Sequence, residues 1–360
     1  MNLNSKIDNM KLMFSGGGTL GPVTPLVAII NKIKKIHPQD EIFWVSTKNG
    51  IENKFLNNLG IKTFPISSAK FRRYFSLKNF SDIYNFKKAI FESRKLLKKI
   101  NPDIVISAGG FVSVPLVWVA KIFGKKIFIH QQDVKIGLAN KLMFPFADKI
   151  TVSFEEHLQK FKKDKAIFTG NPCRFNVDSI KNLNKQKIVE KYNFNPDIPI
   201  VLILGGSSGA SDLNNIIYRN IDKLTEKCQI IHITGSGKHK SIKNENYYQY
   251  EFIENEILDF MFVSDIVVSR AGLGTLTELS FLKKCAILVP LKGHQELNAK
   301  YFFEKNAVEL ANEDNLIEYI FMLLENDLKR DSLQKNISSV MPKDATENIT
   351  NIIYSLINKS

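Results

Sequence analysis

The 360-residue sequence predicts an α/β protein of two doubly wound, Rossmann-like domains facing each other across a cleft. Three observations carry this expectation. Short, continuously apolar, β-rich runs alternate with helical patterns along the whole chain, as in parallel sheets covered on both faces. A glycine-rich turn follows the first such run of each half, "FSGGGTLG" near residue 16 and "LGGSSGASDLN" near residue 205. The length, finally, is large for one core and suits two.

In the first half the expected strands are "KLMFS" (11–15), "EIFWVST" (41–47), "DIVISA" (103–108), "KIFIHQ" (126–131), "KITVS" (149–153) and "AIFTG" (166–170). In the second they are "IPIVLILGG" (198–206), "QIIHITG" (229–235), "YYQYEFI" (247–253), "DIVVSR" (265–270) and "CAILVP" (285–290). Helical stretches such as "PLVAIINKIKKI" and "LTELSFLKK" lie between them, and the two halves join near "TGNPCRFN" (169–176). Ligands of such sheets bind at the carboxyl ends of the strands, here in the cleft between domains.

The first turn carries Gly16, Gly17 and Gly18, which allow a tight bend and close approach of a ligand, before a helix start whose N–H groups suit an anion. Glycines at 16, 18 and 21 match the spacing of a dinucleotide fingerprint. The acids downstream, Asp40 and Glu41, precede the second strand instead of ending it, which argues against a nicotinamide cofactor. Pro22 is expected at the first helical position, where its fixed φ is tolerated.

Composition narrows the class. With 44% hydrophobic and 24% charged residues the chain is ordinary globular material. Three scattered cysteines, Cys173, Cys228 and Cys285, lack metal spacing and point to a reducing cytoplasm. The start "MNLNSKIDNM" has no signal-peptide core, and no apolar run approaches the roughly 18 residues that span a bilayer. A soluble or peripheral protein is expected. The net charge of +14 is unevenly divided: residues 1–168 hold 28 Lys+Arg against 12 Asp+Glu, and residues 169–360 hold 22 against 24. An anionic partner for the first half follows.

The sharpest chemistry lies in "SRAGLGTLTELSFLKKCAILVPLKGHQELNAKYF" (269–302). A strand ends at Arg270, Gly272 and Gly274 form a turn, and a helix opens whose N–H groups suit a diphosphate. Glu278, one turn inside, has the two oxygens needed to hold a ribose diol. His294, Gln295 and Asn298 follow the next strand. The residues alone leave a second reading open, an ordinary β-turn-α connection with a structural glutamate.

Taken together, six stretches in order resemble the MurG family of glycosyltransferases, members of the two-domain GT-B superfamily. "GGTLGPVTP" (17–25), "SAGGFVSVPLVWVAK" (107–121) and "LGGSSGASDLN" (204–214) are similar to its three glycine loops. "IHQQDVKIGLANK" (129–141) is similar to its histidine loop, "TGNPCR" (169–174) to its hinge, and residues 269–302 to its sugar-nucleotide signature. The resemblance implies an inverting transferase that moves N-acetylglucosamine from UDP-N-acetylglucosamine to a polyprenyl-diphosphate-linked muramyl-peptide, the lipid I to lipid II step of peptidoglycan synthesis. It implies an acceptor- and membrane-binding domain over 1–168, a UDP-sugar domain over 169–342, and a C-terminal helix over 343–360 packing back on the first. It places the protein on the cytoplasmic face of the membrane, peripherally bound.

Site residues carry over by position. Arg174 and Ser207 would contact the diphosphate and nearby nucleotide groups, and Ile253 would pack on uracil. Leu273, Gly274, Thr275, Leu276, Thr277 and Glu278 would hold ribose and phosphate, with Glu278 on the ribose hydroxyls. Gln295 would bind hydroxyls of the transferred sugar, and Thr19 and Gly21 would face sugar and acceptor. His130 and Asp133 would join the substrate site. No Asp-x-Asp occurs in the chain, which fits a leaving group stabilised by helix N-termini and an arginine, with no metal and no cofactor.

The chain departs from the family pattern at two positions. Pro22 stands where a histidine is usual, and Asp133 where an asparagine is usual. Attack by a sugar hydroxyl needs a proton acceptor, which proline cannot be. Two readings of Asp133 follow: it is that acceptor, or it only keeps a hydrogen-bonding oxygen in place.

One stretch remains, "AKFRRYFSLKNFSDIYNFKKAIFESRKLLKKI" (69–100), with ten Lys/Arg, two acids and seven Phe/Tyr. Basic residues interleaved with aromatics on an amphipathic helix describe an interfacial membrane binder. A solvated basic face with its aromatics in the core is the second reading and nucleic acid the third; the family resemblance favours an anionic membrane, with no nucleic acid expected. Two rivals to the whole assignment stand: a related transferase using another lipid acceptor, and a non-catalytic sugar-nucleotide or lipid-binding homologue.

Overall fold

Two parallel sheets organise the chain in the computed structural model, which describes residues 9–69, 78–205, 210–253 and 256–358. The first sheet contains β1 (Lys11–Ser15), β2 (Glu41–Thr47), β3 (Lys62–Ile66), β4 (Ile104–Ser107), β5 (Lys126–Gln131), β6 (Lys149–Val152) and β7 (Ala166–Phe168), in the order 3-2-1-4-5-6-7. The second contains β8 (Ile200–Leu204), β9 (Gln229–Ile233), β10 (Tyr247–Tyr250), β11 (Ile266–Ser269), β12 (Cys285–Leu288) and β13 (Glu309–Leu310), in the order 10-9-8-11-12-13. Both orders reverse direction beside their first strand, the arrangement of a doubly wound fold.

Eleven of these strands coincide with apolar runs legible in the sequence; β3 and β13 do not. Pro65 lies inside β3 and most of its side chains are only partly covered, as befits an edge strand. β13 is two residues long, too short to carry a periodic signal.

By its contacts the chain divides into a first unit of residues 1–174 and 343–360 and a second of residues 175–342. In the first unit, α1 (Thr24–Ile36) buries Leu26, Ile29, Ile30 and Ile33 on one face of the sheet, against Leu12, Phe14 and Trp44. Full burial of each such side chain contributes about 1.5–3 kcal/mol. The helix Ala345–Ile357 joins that layer through Ile349, Ile353 and Ile357. Polar contacts fix its register: Tyr354 donates to Asp40, Lys32 Nζ lies 2.6 Å from Glu347, and Thr346 Oγ1 bonds both the N–H and the C=O of Cys173 at 3.1 Å. The opposite face is covered by α3 (Lys78–Ile100) and α4 (Ser113–Ile122), which contribute Leu96, Leu97, Val114 and Val117. The second unit has its own core, built on Val201, Ile203, Ile230, Val268 and Ile287.

Candidate active site

Because every strand pair is parallel, the carboxyl ends of each sheet share one edge. In the first unit Ser15 of β1 is in register with Ser107 of β4, and in the second Leu204 of β8 with Ser269 of β11. These are the two switch points, where adjacent connections part to opposite faces and leave a crevice. All the glycine turns singled out from the sequence leave from these four strand ends.

In the first unit the two turns pack on each other. Gly18 (φ +85°) and Gly110 (φ +91°) adopt left-handed conformations that favour glycine, and a Cβ on Gly110 would lie 3.0 Å from the Gly17 carbonyl. Ser113 Oγ lies 2.9 Å from Ser15 Oγ and 3.0 Å from the Gly109 carbonyl oxygen, and Trp44 Nε1 donates to the Gly16 carbonyl at 3.0 Å. Thr19 and Gly21 form the exposed tip of the turn. Pro22 is not at the helix start. It lies in the turn closed by Val23 N–H to the Leu20 carbonyl, α1 begins at Thr24, and Pro25 occupies the first helical turn. The Pro22 carbonyl sits 3.1 Å from where a Gly16 Cβ would be, so this turn packs closely on the glycine at 16.

The histidine loop separates its two candidates. His130, at the end of β5, is fully buried, with Nδ1 2.9 Å from Thr151 Oγ1 and Nε2 3.0 Å from Asn171 Oδ1. Burial pushes its pKa down to about 4 despite the Asn171 hydrogen bond, which acts the other way. The ring is therefore neutral, and it is held between β5, β6 and the segment that follows β7. Asp133 is only half-buried. Its carbonyl accepts from Gln131 Nε2 at 2.7 Å, and Gln131 Oε1 accepts from the buried Asn140 Nδ2 at 2.7 Å. Asn140 and Gln131 thus orient this loop, a role that no local pattern announces because it links β5 to the helix Leu138–Met143.

In the second unit the helix Leu273–Leu282 begins shortly past β11 with Gly272 as N-cap and, among the described residues, no capping side chain, an N-terminus of the kind that suits an anion. Gly274 and Thr275 are half-buried at this end, whereas Leu273, Leu276, Thr277 and Glu278 are buried. Thr277 Oγ1 donates to the Leu273 carbonyl at 2.7 Å and braces the turn. Arg270 is a brace that the sequence left without a role: Nη1 donates to the Val289 carbonyl at 2.7 Å and Nη2 pairs with Asp212. Burial pushes the Asp212 carboxyl up, but the Arg270 guanidinium together with the backbone N–H groups of Leu213 and Asp212 lowers its pKa overall. Past β12, Gln295 Oε1 accepts from Leu291 N–H at 3.1 Å. Ile253 is half-buried beyond β10. Arg174 is exposed where the chain leaves the first unit, and Ser207 lies outside the described residues.

Comparison with known proteins gives this arrangement a family. Residues 12–152 match the glycosyltransferase family 28 N-terminal domain and residues 200–353 the family's C-terminal domain. The chain belongs to glycosyltransferase family 28. Within it, a curated relative from Clostridium tetani (strain Massachusetts / E88) is 42% identical over 353 residues, 95% of this chain and 97% of the relative. It is named UDP-N-acetylglucosamine--N-acetylmuramyl-(pentapeptide) pyrophosphoryl-undecaprenol N-acetylglucosamine transferase. A relative of the same name from Clostridium botulinum (strain 657 / Type Ba4) is 39% identical over 352 residues, covering 95% of this chain and 98% of the relative. Those matches place this family 28 chain in the MurG branch. The crystal structure of Acinetobacter baumannii MurG shares the fold, with a TM-score of 0.71 at 20% identity over 96% of this chain and 99% of that one. So does a putative UDP-N-acetylglucosamine 2-epimerase from Listeria monocytogenes, with a TM-score of 0.71 at 14% identity over 98% of each chain. The fold is thus shared with a chain named for a different activity, and fold alone does not fix the reaction.

Proposed function

We propose that this family 28 member is an inverting N-acetylglucosaminyltransferase, with UDP-N-acetylglucosamine as donor and a polyprenyl-diphosphate-linked muramyl-peptide as acceptor. The carrying observation is the uncapped start of the helix Leu273–Leu282, with Glu278 one turn behind it, in a chain matched over 95% of its length by curated transferases of that name. The helix N–H groups receive the diphosphate, Glu278 accepts from the ribose hydroxyls, Ile253 packs on the base, and Gln295 meets the sugar. Arg174 and Ser207 add contacts to the nucleotide.

In the reaction the acceptor hydroxyl oxygen bonds to the anomeric carbon as the bond from that carbon to the diphosphate oxygen breaks. The departing electron pair goes to UDP, whose charge is stabilised by the helix N–H groups. The proton goes to Asp133, which stands past β5 on a loop held by Gln131 and Asn140. Thr19 and Gly21 flank the acceptor.

The first unit carries the membrane contact. On α3 the outward residues are Ile83, Tyr84 and Phe91, each more than half exposed, together with Lys87, Lys88, Arg94, Lys95, Lys98 and Lys99. Phe86 turns inward onto Trp118, ring centroids 5.4 Å apart, so the aromatics divide between core and surface. An apolar ridge among cations suits an anionic bilayer surface, with roughly 1 kcal/mol from each basic residue near it. Among the described residues no helix is long and apolar enough to cross a membrane.

The direct test is turnover of radiolabelled UDP-N-acetylglucosamine with and without the lipid acceptor. Acceptor-dependent transfer supports the assignment, and donor binding without transfer supports a sugar-nucleotide-binding homologue.

A further inference from the structure

Glu52 opens α2 (Glu52–Asn58) and is fully buried beneath the first glycine turn. Its Oε1 accepts from Thr47 N–H at 2.9 Å and Thr47 Oγ1 at 2.6 Å, and its Oε2 accepts from Gly18 N–H at 3.2 Å. Each of these partners is a donor, so the position calls for two acceptor oxygens. Two glycines make room for them. A Cβ on Gly17 would lie 2.2 Å from Oε1, and one on Gly50 2.0 Å from Oε2. Gly17 does not have the left-handed backbone of Gly18, so it is glycine because of the carboxylate and not because of the bend.

One side chain therefore joins the end of β2, the start of α2 and the turn after β1. We propose that Glu52 is a positioning residue for the acceptor: it fixes the height of the 16–21 turn and occupies the Gly18 N–H, leaving Thr19 to Gly21 as the part that meets the acceptor. This rests on the assignment of that turn to the acceptor made above. Glu52 touches no reacting atom. It acts through the backbone it holds, where a displacement of the turn changes the geometry of attack.

The experiment uses the full chain carrying Glu52→Gln, with Thr47→Val as a second variant. Glutamine keeps the shape but turns an NH₂ donor toward an N–H donor. The expected result is a fall in kcat/KM for the lipid acceptor on the order of 10²-fold, an unchanged KM for UDP-N-acetylglucosamine, and faster hydrogen exchange in residues 16–21. Thr47→Val, which loses one of three donors, should shift the same quantities in the same direction and less. An unchanged acceptor KM and kcat in Glu52→Gln overturns the proposal, as does an equal loss toward donor and acceptor in both variants. If the wild type transfers no sugar to the lipid, the functional assignment fails instead. Exchange at residues 16–21 then still decides whether Glu52 holds the turn, and unaltered exchange overturns it.

Discussion

Nε2 of His130 lies 3.0 Å from Oδ1 of Asn171, and this contact ties the end of β5 to the segment that follows β7 within the first unit. An amide oxygen only accepts, so Nε2 carries the ring proton and Nδ1 accepts from Thr151. The second unit repeats the device. His232 is fully buried, with Nε2 3.0 Å from Asn214 Oδ1 and Nδ1 2.8 Å from Tyr247 OH.

Both rings should make folding sensitive to acid. Burial lowers their pKa values to about 4 for His130 and about 3 for His232, from an ordinary 6.5. The unfolded chain then binds two protons that the folded chain refuses. Stability is fully present above pH 6.5 and is lost as pH falls from there toward the folded values, with each histidine costing on the order of 2 kcal/mol by pH 5. Urea midpoints measured between pH 7.5 and 5 should fall steadily. A flat profile would show that these rings take up protons in the folded state.

Glu278→Ala should weaken donor binding by roughly 2–4 kcal/mol, the cost of losing two charge-assisted hydrogen bonds to the ribose. Thermal shift with UDP-N-acetylglucosamine, without added divalent metal, reads this directly. An equal response to a guanine-linked sugar would sink the donor assignment.

Vesicle binding should require anionic lipid and fall with added salt. Lys87→Glu with Lys88→Glu should abolish most of it, and Phe91→Ala should reduce it while leaving the salt dependence in place. Co-sedimentation with neutral vesicles at high salt, unaffected by these changes, would remove α3 from the membrane contact.

Asp133→Asn should leave donor affinity intact and lower turnover by roughly 10²–10⁴-fold if the aspartate accepts the proton. Pro22→His would then restore part of that loss. Normal turnover in Asp133→Asn rules the aspartate out as base and leaves it a loop residue.

The sequence by itself determined the two-sheet architecture, eleven of the thirteen strands and the positions of the glycine turns. Each is a local matter: a continuous apolar run reads as a strand buried on both faces, and a glycine after it reads as a turn. The helical, basic and aromatic character of α3 was legible for the same reason.

Only the tertiary structure decided what lies between elements far apart in the chain. It placed His130 in the core, because Thr151 and Asn171 close on both ring nitrogens from 21 and 41 residues away. It made Arg270 a brace between Asp212 and Val289, and moved Pro22 out of the helix start into a turn shaped by its neighbours. Above all it explained Gly17, whose missing side chain is space for the carboxylate of Glu52, 35 residues later. Side-chain volume and hydrogen-bond partners are set by whatever the fold brings alongside, and no periodicity along the chain records them.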